Sequence, residues 1–260
     1  MRQLSKAEQQ AIHRFEKLYR LVAVSVCAVM MVVLLLTVSY LPSFGDPDNP
    51  ANNEVPQRYI EQGLQETGAL NVVAGMILDY RAFDTFGESA VLFLAVCAIM
   101  LVLQRQPDEI LINTLNTRPF EPREDQIFQM VAWFLVPCIL LFGIYVVLNG
   151  HLSPGGGFSG GALIGAGFIL YCSAFGFEKT QLFLSEASFK RIVAVSLLFY
   201  ASLKGYSFFS GANHLESTIP LGQAGAILSG GLILPLNIAV GVIVACTVYG
   251  IFALYSRGGI

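Results

Sequence analysis

Charged residues are scarce in this sequence. Asp, Glu, Lys and Arg make up 13% of its 260 residues, whereas an average soluble domain carries about 25%. The formal net charge of −3 excludes a basic surface built for nucleic acid. The two longest polar segments, residues 42–68 and 104–126, are too short to fold as separate domains. We therefore expect no soluble catalytic domain and no nucleic-acid partner.

Clustered metal ligands are also lacking. The five cysteines stand singly in apolar runs, without a C-x-x-C pair or a nearby histidine: Cys27, Cys97, Cys138, Cys172 and Cys246. Zinc and iron–sulfur sites need clustered ligands. The sequence therefore predicts neither a metal site nor a cofactor within this chain, and the cysteines are interpreted as small apolar residues.

Long apolar runs are what the sequence does contain. A spanning helix needs about 20 mostly apolar residues, and seven runs approach or reach that length: Leu21–Leu41, Leu64–Leu78, Gly87–Leu103, Ile127–Leu148, Phe158–Phe177, Ile192–Phe209 and Gly231–Tyr255. They predict an all-α integral membrane protein of about seven transmembrane helices. The second run is short, so a re-entrant segment is its alternative. Pro235 predicts a kink in the seventh.

Charge and composition suggest an orientation and a division of the chain. Four basic residues precede the first run: Lys6, Arg14, Lys17 and Arg20. Positive flanks favour the cytoplasmic side, so we expect a cytoplasmic N-terminus. Composition changes at the linker 104–126. We therefore expect a three-helix part, residues 1–118, and a four-helix part, residues 119–260.

The first group of ionisable residues lies at the junction of the second and third runs. It comprises Asp79, Arg81, Asp84 and Glu88. Asp84 and Glu88 share a face if the helix is continuous, although Gly87 would permit a break between them. Ionisable groups at membrane depth are costly and usually mark ion paths or proton relays. The alternative is a solvated turn in which Asp79 pairs with Arg81 at the membrane surface.

The second group is a glycine-rich loop that reads H-L-S-P-G-G-G-F-S-G-G from His151. Its motif residues are Pro154, Gly155, Gly156, Gly157, Phe158 and Gly161. Three glycines after a proline cannot form regular helix, and irregular backbone at membrane depth needs surrounding protein or a water-filled cavity. The glycines continue as a double G-x-x-x-G at 157, 161 and 165, which predicts close approach of another helix. The phosphate-binding pattern G-x-x-x-x-G-K-[ST] is absent.

Three single polar residues complete the candidates. Histidine is the side chain whose charge changes nearest physiological pH, so His151 is either an ion-path residue or an interfacial hydrogen-bonding group. Lys204 is either a buried proton-relay residue or a lysine that extends its ammonium to the membrane surface. Asn237 is expected to satisfy carbonyls freed by a kink at Pro235.

Both groups resemble parts of one known family. The stretch F-G-D-P-D-N-P-A from Phe44, then Y-I-E, E-T-G and the segment Asn71–Glu88, is similar to the carboxy-terminal segment of the large A-type polypeptide of Mrp-type sodium/proton antiporters. That segment also occurs as a separate small polypeptide, the E-type component of membrane-bound hydrogenases. The glycine-rich loop resembles the hallmark of the Mrp B-type polypeptide, whose four-helix pattern the last four runs fit. The two pieces are normally parts of different polypeptides.

The resemblance implies a function. The chain would be a non-enzymatic subunit of a multi-subunit cation/proton antiporter in the prokaryotic inner membrane. Large A-like and D-like subunits and small subunits would be its partners, and sodium ions and protons its transported species. Asp79, Asp84 and Glu88 match the carboxylates of the family's cation path, and Pro154 and Phe158 match the motif of the B-type polypeptide.

Two other functions stay open at this stage. The chain is alternatively a membrane-arm subunit of a redox-driven complex, such as a membrane-bound hydrogenase, that uses the same exchanger module. The third interpretation is a scaffolding membrane protein without any ion contact.

Overall fold

The computed structural model describes residues 6–46, 49–50, 52–103, 125–181, 185–213 and 219–257. Within these ranges the chain is helical and has no strand. The ten α-helices found there are α1 (Lys6–Ser39), α2 (Glu54–Glu61), α3 (Gly63–Thr67), α4 (Val72–Gly75), α5 (Ala82–Leu103), α6 (Gln126–Leu148), α7 (Gly157–Phe175), α8 (Phe177–Gln181), α9 (Glu186–Ala212) and α10 (Ile233–Arg257). A π-helix, Met76–Tyr80, lies between α4 and α5.

Six of these helices are long and apolar enough to cross a membrane: α1, α5, α6, α7, α9 and α10. The predicted all-α membrane class is therefore confirmed, with one spanning helix fewer than the seven expected. The predicted domain boundary at residues 118 and 119 lies outside the described residues.

The second apolar run, Leu64–Leu78, is not a spanning helix. Gly68 has φ 69° and ends α3 in the left-handed region, where glycine is favoured. Asn71 then begins α4, because its side chain accepts hydrogen bonds from the N–H groups of Val73 and Ala74. Hydropathy alone does not detect this stop and restart.

The chain divides into two compact units, Met1–Pro56 and Gln57–Ile260. The first consists mainly of α1. No residue is buried in the most apolar 18-residue stretch of this helix. An apolar helix that buries none of its own surface is suited to lipid or to another subunit.

Helix α10 is the centre of the second unit. It packs against α5, α6, α7 and α9. Of the residues in its most apolar 18-residue stretch, 67% are buried. Its residues Leu236, Val240 and Val244 share one core cluster with Leu78 and Tyr200. This core therefore joins segments from before and after the 104–124 gap.

The glycine spacing in α7 produces the predicted close helix packing. A Cβ added at Gly161 would lie 2.5 Å from the carbonyl oxygen of Gly241 in α10, and one at Gly157 would lie 2.6 Å from the carbonyl oxygen of Asn237. Gly160 faces the other neighbour, with Val147 of α6 at 2.5 Å from its added Cβ. These distances leave no room for a side chain.

The expected kink at Pro235 is wrong, and the break that Gly87 would permit does not occur. Pro235 lies in the first turn of α10, where no N–H is needed and no preceding turn exists for its ring to obstruct. It therefore does not kink the helix. Gly87 does not break α5 either, since that helix runs from Ala82 to Leu103.

Replacing Gly161 by alanine tests this packing. Alanine favours helix over glycine by about 1 kcal/mol, yet at Gly161 overpacking should destabilise the protein by about 1–3 kcal/mol. Gly205 of α9, which has nothing within 4 Å of an added Cβ, supplies the matched control. Thermal unfolding in detergent should show a lower unfolding temperature for Gly161→Ala and no decrease for Gly205→Ala. Equal unfolding temperatures would contradict the tight packing.

Candidate functional site

The π-helix Met76–Tyr80 is the local feature from which the site is built. A π-helix shifts backbone hydrogen bonds out of the α register and is frequent at functional sites. Side chains donate to carbonyls at and after it: Thr85 Oγ1 to Ile77 at 2.7 Å, Tyr200 Oη to Ala82 at 2.8 Å and Lys204 Nζ to Asp79 at 3.4 Å. Two of these donors lie on α9. The irregular backbone is therefore held by a distant helix.

Lys204 forms a buried ion pair with Asp79. Its Nζ lies 3.1 Å from Asp79 Oδ1, with 5% of the lysine side chain exposed and 34% of the aspartate. The alternative that Lys204 extends to the membrane surface is wrong. An ammonium withdrawn from water needs its carboxylate close by, whereas the half-buried Asp79 can also be reached by water or an ion.

Arg81 pairs with Asp84 instead of Asp79. Arg81 Nη2 lies 2.5 Å from Asp84 Oδ2, and 61% and 55% of the two side chains are exposed. An exposed pair of this kind contributes little to stability. The expected alternative, an Asp79–Arg81 pair, is wrong because Lys204 already holds Asp79 from the protein interior.

Glu88 is exposed on α5, one turn after Asp84. The two carboxylates share a face, as the spacing predicts for a continuous helix. Among the residues that the structure describes, Glu88 has no hydrogen-bond or ion-pair partner. The predicted ion-path residues therefore do not form one cluster: Asp79 is paired inward, whereas Asp84 and Glu88 face outward.

The glycine-rich loop has backbone angles that favour glycine. Gly155 has φ 140° and Gly156 has φ 132°, and side chains rarely adopt such values. Helix α7 then begins at Gly157, whose N–H donates to Asn237 Oδ1 at 2.9 Å. The expectation that Asn237 satisfies carbonyls of its own helix is wrong. It instead caps a neighbouring one, because α10 has no kink to repair.

A small cavity of about 70 Å³ adjoins this loop. Its lining residues come from both sides of the 104–124 gap: Asn71, Val73, Ala74, Ile77, Leu78, Thr85, Gly155, Gly156, Gly157, Phe158, Ser159, Asn237 and Val240. Phe158 of the predicted motif is half-buried there, whereas Pro154 is exposed. The irregular backbone thus lies beside a cavity, as expected at membrane depth.

Asn71 joins the first segment to this loop. Its Nδ2 donates to the carbonyls of Gly150 at 2.9 Å and Ser153 at 3.0 Å, and its backbone N–H donates to the carbonyl of His151 at 3.0 Å. Sequence reasoning missed this residue. An asparagine before an apolar run is a helix-start signal, but its second role depends on contacts distant in sequence.

His151 is fully buried beside Asn71. Its Nε2 lies 3.3 Å from the carbonyl oxygen of Ala226, which is a hydrogen bond when Nε2 carries the proton. Nδ1 has no partner among the described residues. His151 is therefore enclosed by the protein, and its position relative to the membrane surface stays a prediction.

A third cluster joins α2 and α3 to the end of the π-helix. Arg58 Nη2 lies 2.7 Å from Glu66 Oε1, and the Tyr80 hydroxyl donates to the same carboxylate. Hydrogen bonds from Arg58 and then Tyr80 hold the pKa of Glu66 below its ordinary value. Burial, followed by the bond to Glu66, raises the pKa of Tyr80 to about 12. This network adjoins Asp79 in sequence, and sequence reasoning did not identify it.

Two family models match the chain. Residues 21–113 match the E-type component of MBH, and residues 127–250 match a domain related to the MnhB subunit of Na⁺/H⁺ antiporter. We call these stretches the E segment and the MnhB-related domain. The Asp79–Lys204 pair and the hydrogen bonds of Asn71 connect the two.

Several relatives are similar in sequence. An uncharacterized protein of Methanocaldococcus jannaschii is 33% identical over 190 residues, which cover 66% of this chain and 71% of that protein. A probable K⁺/H⁺ antiporter protein of Rhizobium meliloti, of the combined A/B type, is 29% identical over 138 residues, covering 46% of this chain and 14% of that longer protein. The putative antiporter subunit mnhB2 of Staphylococcus epidermidis is 32% identical over 94 residues, covering 36% and 66%.

Two solved structures contain similar chains. One belongs to the membrane-bound sulfane sulfur reductase, an archaeal respiratory membrane complex, with a TM-score of 0.64 and 27% identity over 92% of this chain and 99% of that chain. The other belongs to the Mrp complex from Dietzia, with a TM-score of 0.63 and 22% identity over 100% of this chain and 27% of that chain. At that identity the second likeness concerns the fold alone.

The ion pair predicts that replacing its two members lowers the free energy of unfolding by unequal amounts. Asp79→Ala leaves a buried ammonium without a counter-charge and should destabilise the protein by about 3–5 kcal/mol. Lys204→Met leaves a half-exposed carboxylate that water can solvate, so its cost should be smaller. Thermal unfolding in detergent measures both. The double variant should lose less stability than the sum of the losses in the two single variants. A larger loss for Lys204→Met than for Asp79→Ala would contradict the assigned burial.

The Glu66 network predicts an acid-sensitive contribution to stability. A carboxyl whose pKa is lowered on folding stabilises the folded state above its ordinary value of 4.5, and this contribution disappears as pH falls through the lowered value. The unfolding temperature of Glu66→Gln should be below the parent's at neutral pH. The difference should shrink in acid, and it should be small because Arg58 is exposed. A difference that stays constant with pH would rule out the network.

Proposed function

Because this chain belongs to the family of membrane proteins in which an E segment precedes an MnhB-related domain, we propose that it is one component of an Mrp-type exchanger of a monovalent cation for protons. Its place is the prokaryotic inner membrane, with a cytoplasmic N-terminus. Its partners are large A-like and D-like subunits and small subunits, and it is a transporter component and not an enzyme. The antiporter names of two relatives support this class.

The buried ion pair between the E segment and the MnhB-related domain carries the proposal. Asp79 is held by Lys204 on its inner side and is 34% exposed on the other. A monovalent cation that reaches Asp79 competes with the lysine ammonium for the same carboxylate. One half-buried carboxylate does not balance two positive charges, so the arriving cation and the proton carried by the lysine compete for it. Cation entry is thereby coupled to proton release.

The return step follows from the same two side chains. A proton that reaches neutral Lys204 regenerates an ammonium, which attracts Asp79 and displaces the bound cation. One carboxylate and one amine therefore exchange one cation for one proton without any cofactor. Arg81, Asp84, Glu88 and His151 are proposed to belong to the approaches to this pair.

A second candidate is a membrane-arm component of a redox-driven complex. The chain from the sulfane sulfur reductase supports it, since the alignment covers 99% of that chain. The exchange step at Asp79 and Lys204 would be the same, and only the source of energy would differ. Proteins that co-purify in mild detergent distinguish the two. Iron–sulfur proteins indicate the redox complex, whereas antiporter-like subunits alone indicate the exchanger.

Exchange measurements test the proposed path. Asp79→Asn and Lys204→Met should each lower cation-dependent proton exchange in everted vesicles on the order of tenfold or more, because either change removes one member of the coupled pair. Lys190→Met removes an exposed lysine from the same helix α9 and serves as the control, with exchange expected at the parental rate.

Glu88→Gln tests the outer carboxylate. It keeps size and hydrogen bonding but removes the charge, so exchange should fall while the complex still assembles. Glu88→Asp should keep partial activity with an altered dependence on pH or sodium. The amount of each protein in the complex is checked by immunoblot in every variant. Parental exchange in the Asp79, Glu88 and Lys204 variants alike would leave a scaffolding role as the remaining function.

A further inference from the structure

Helix α5 has two unlike faces. Ala82, Thr85, Ser89 and Val96 are buried within the unit. The opposite side is exposed along the whole helix, and we call it the α5 outer face: Asp84, Gly87, Glu88, Val91, Leu94 and Leu101. Residues three or four apart lie on one side of a helix, so these side chains form one continuous strip.

Glu88 places a carboxylate within this otherwise apolar strip. The apolar span begins at Ala82, and six residues at 1.5 Å each put Glu88 about 9 Å along the helix axis. Below it, Val91 and Leu94 are 64% and 62% exposed. A carboxylate that faces lipid at this position is costly, and such groups are usually paired or face a protein interior.

The charge that would neutralise Glu88 is not supplied by the described part of the chain. Arg81, seven residues earlier, is paired with Asp84. Lys204 is paired with Asp79. Glu88 has no ion pair or hydrogen bond within the described residues. A positive side chain from outside the chain would meet this requirement.

Gly87 provides the space for such a side chain. An added Cβ there would have nothing within 4 Å, whereas Gly157 and Gly161 of α7 lie directly against α10. Glycines in spanning helices let another helix approach closely. Gly205 and Gly211 of α9 are equally open but have no exposed carboxylate beside them. The α5 outer face thus combines an opening and an unmatched charge.

Other occupants fit this face less well. A second copy related by a two-fold axis would bring the same patch against itself, so that Glu88 would face the Glu88 of its partner. Lipid tails would leave the carboxylate without a counter-charge. A helix that carries a positive side chain satisfies both the charge and the shape.

We propose that a transmembrane helix of a partner protein in the complex covers the α5 outer face and places a lysine or arginine side chain against Glu88. This inference rests on the proposed function only in requiring partner proteins. It adds the position of the contact and the chemistry of the partner helix.

Photo-crosslinking in the assembled complex tests the proposal. A benzoylphenylalanine is introduced at Val91 of the full chain, expressed with all its partners in native membranes. Val195 of α9, also 64% exposed, receives the same group as the control. The expected adduct from position 91 maps by mass spectrometry to an apolar helix with a lysine or arginine within about one turn of the attachment point. The control should not yield that peptide.

Reversing the charges of the two contacting residues then tests the contact itself. Glu88→Lys should lower the amount of the crosslinked partner that co-purifies by about tenfold, equivalent to 1.4 kcal/mol, whereas Glu88→Gln, which removes the charge without reversing it, should lower that amount less. Replacing the basic residue of the partner by glutamate should restore co-purification of the Glu88→Lys chain. Because crosslinking uses the chain with Glu88 intact, it remains informative if Glu88→Lys fails to insert.

Four results would overturn the proposal. They are an adduct with lipid only, an adduct with a second copy of this chain, a crosslinked helix without a basic residue, and no recovery of co-purification when both charges are reversed. The assay of cation-dependent proton exchange separates the failure of this proposal from the failure of the proposed function. If Asp79→Asn and Lys204→Met abolish exchange while position 91 contacts only lipid, the ion path stands and the partner contact is wrong.

Discussion

The buried ammonium of Lys204 is the constraint on which the rest of the site depends. A charge withdrawn from water requires a counter-charge, and the only carboxylate that meets Lys204 in the described residues is that of Asp79. Asp79 lies within the π-helix Met76–Tyr80. Thr85 donates to a carbonyl of that π-helix, and Tyr200 donates to the carbonyl of Ala82 just after it. The buried charge is therefore held at an irregular backbone segment that two further polar contacts stabilise.

The E segment and the MnhB-related domain are joined by polar contacts as well as by an apolar core. Asn71 hydrogen-bonds the glycine-rich loop, while Leu78 packs in the same cluster as Leu236 and Val240. In a membrane, apolar burial gives little preference for protein over lipid, so packing and hydrogen bonds decide which helices associate. The hydrogen bonds of Asn71 and the buried Asp79–Lys204 pair are thus suited to hold the two parts in one arrangement.

Local chemistry explains how much of this fold is predictable from the sequence. The apolar runs predict the spanning helices because length and composition decide membrane insertion, and the glycine spacing predicts the close approach in α7. The prediction of a span fails for the second run, although Gly68 and Asn71 carry the ordinary stop and start signals of short helices. The predicted kink at Pro235 fails because its effect depends on how far it lies from the helix start.

The contacts of the site are less predictable because they join residues distant in sequence. Asp79 and Lys204 are each recognisable as candidates, yet nothing in their local sequence pairs them. Asn237 is expected to serve its own helix, whereas its oxygen meets Gly157, 80 residues earlier. A lysine in one apolar run and an aspartate at the end of another do suggest a pair, but several pairings are compatible with such a pattern. The fold decides among them.

The central position of α10 has a consequence for how the protein is made. This helix fills the middle of its unit, yet it is synthesised after the four spanning helices it contacts. Until α10 leaves the ribosome, Gly157 and Gly161 of α7 have no helix against them. The N–H of Gly157 also has no Asn237 side chain to accept its hydrogen bond. The earlier helices must therefore remain in the membrane in an unfinished arrangement, and final packing waits for the last span. Insertion and folding are separated in time by the order of the chain.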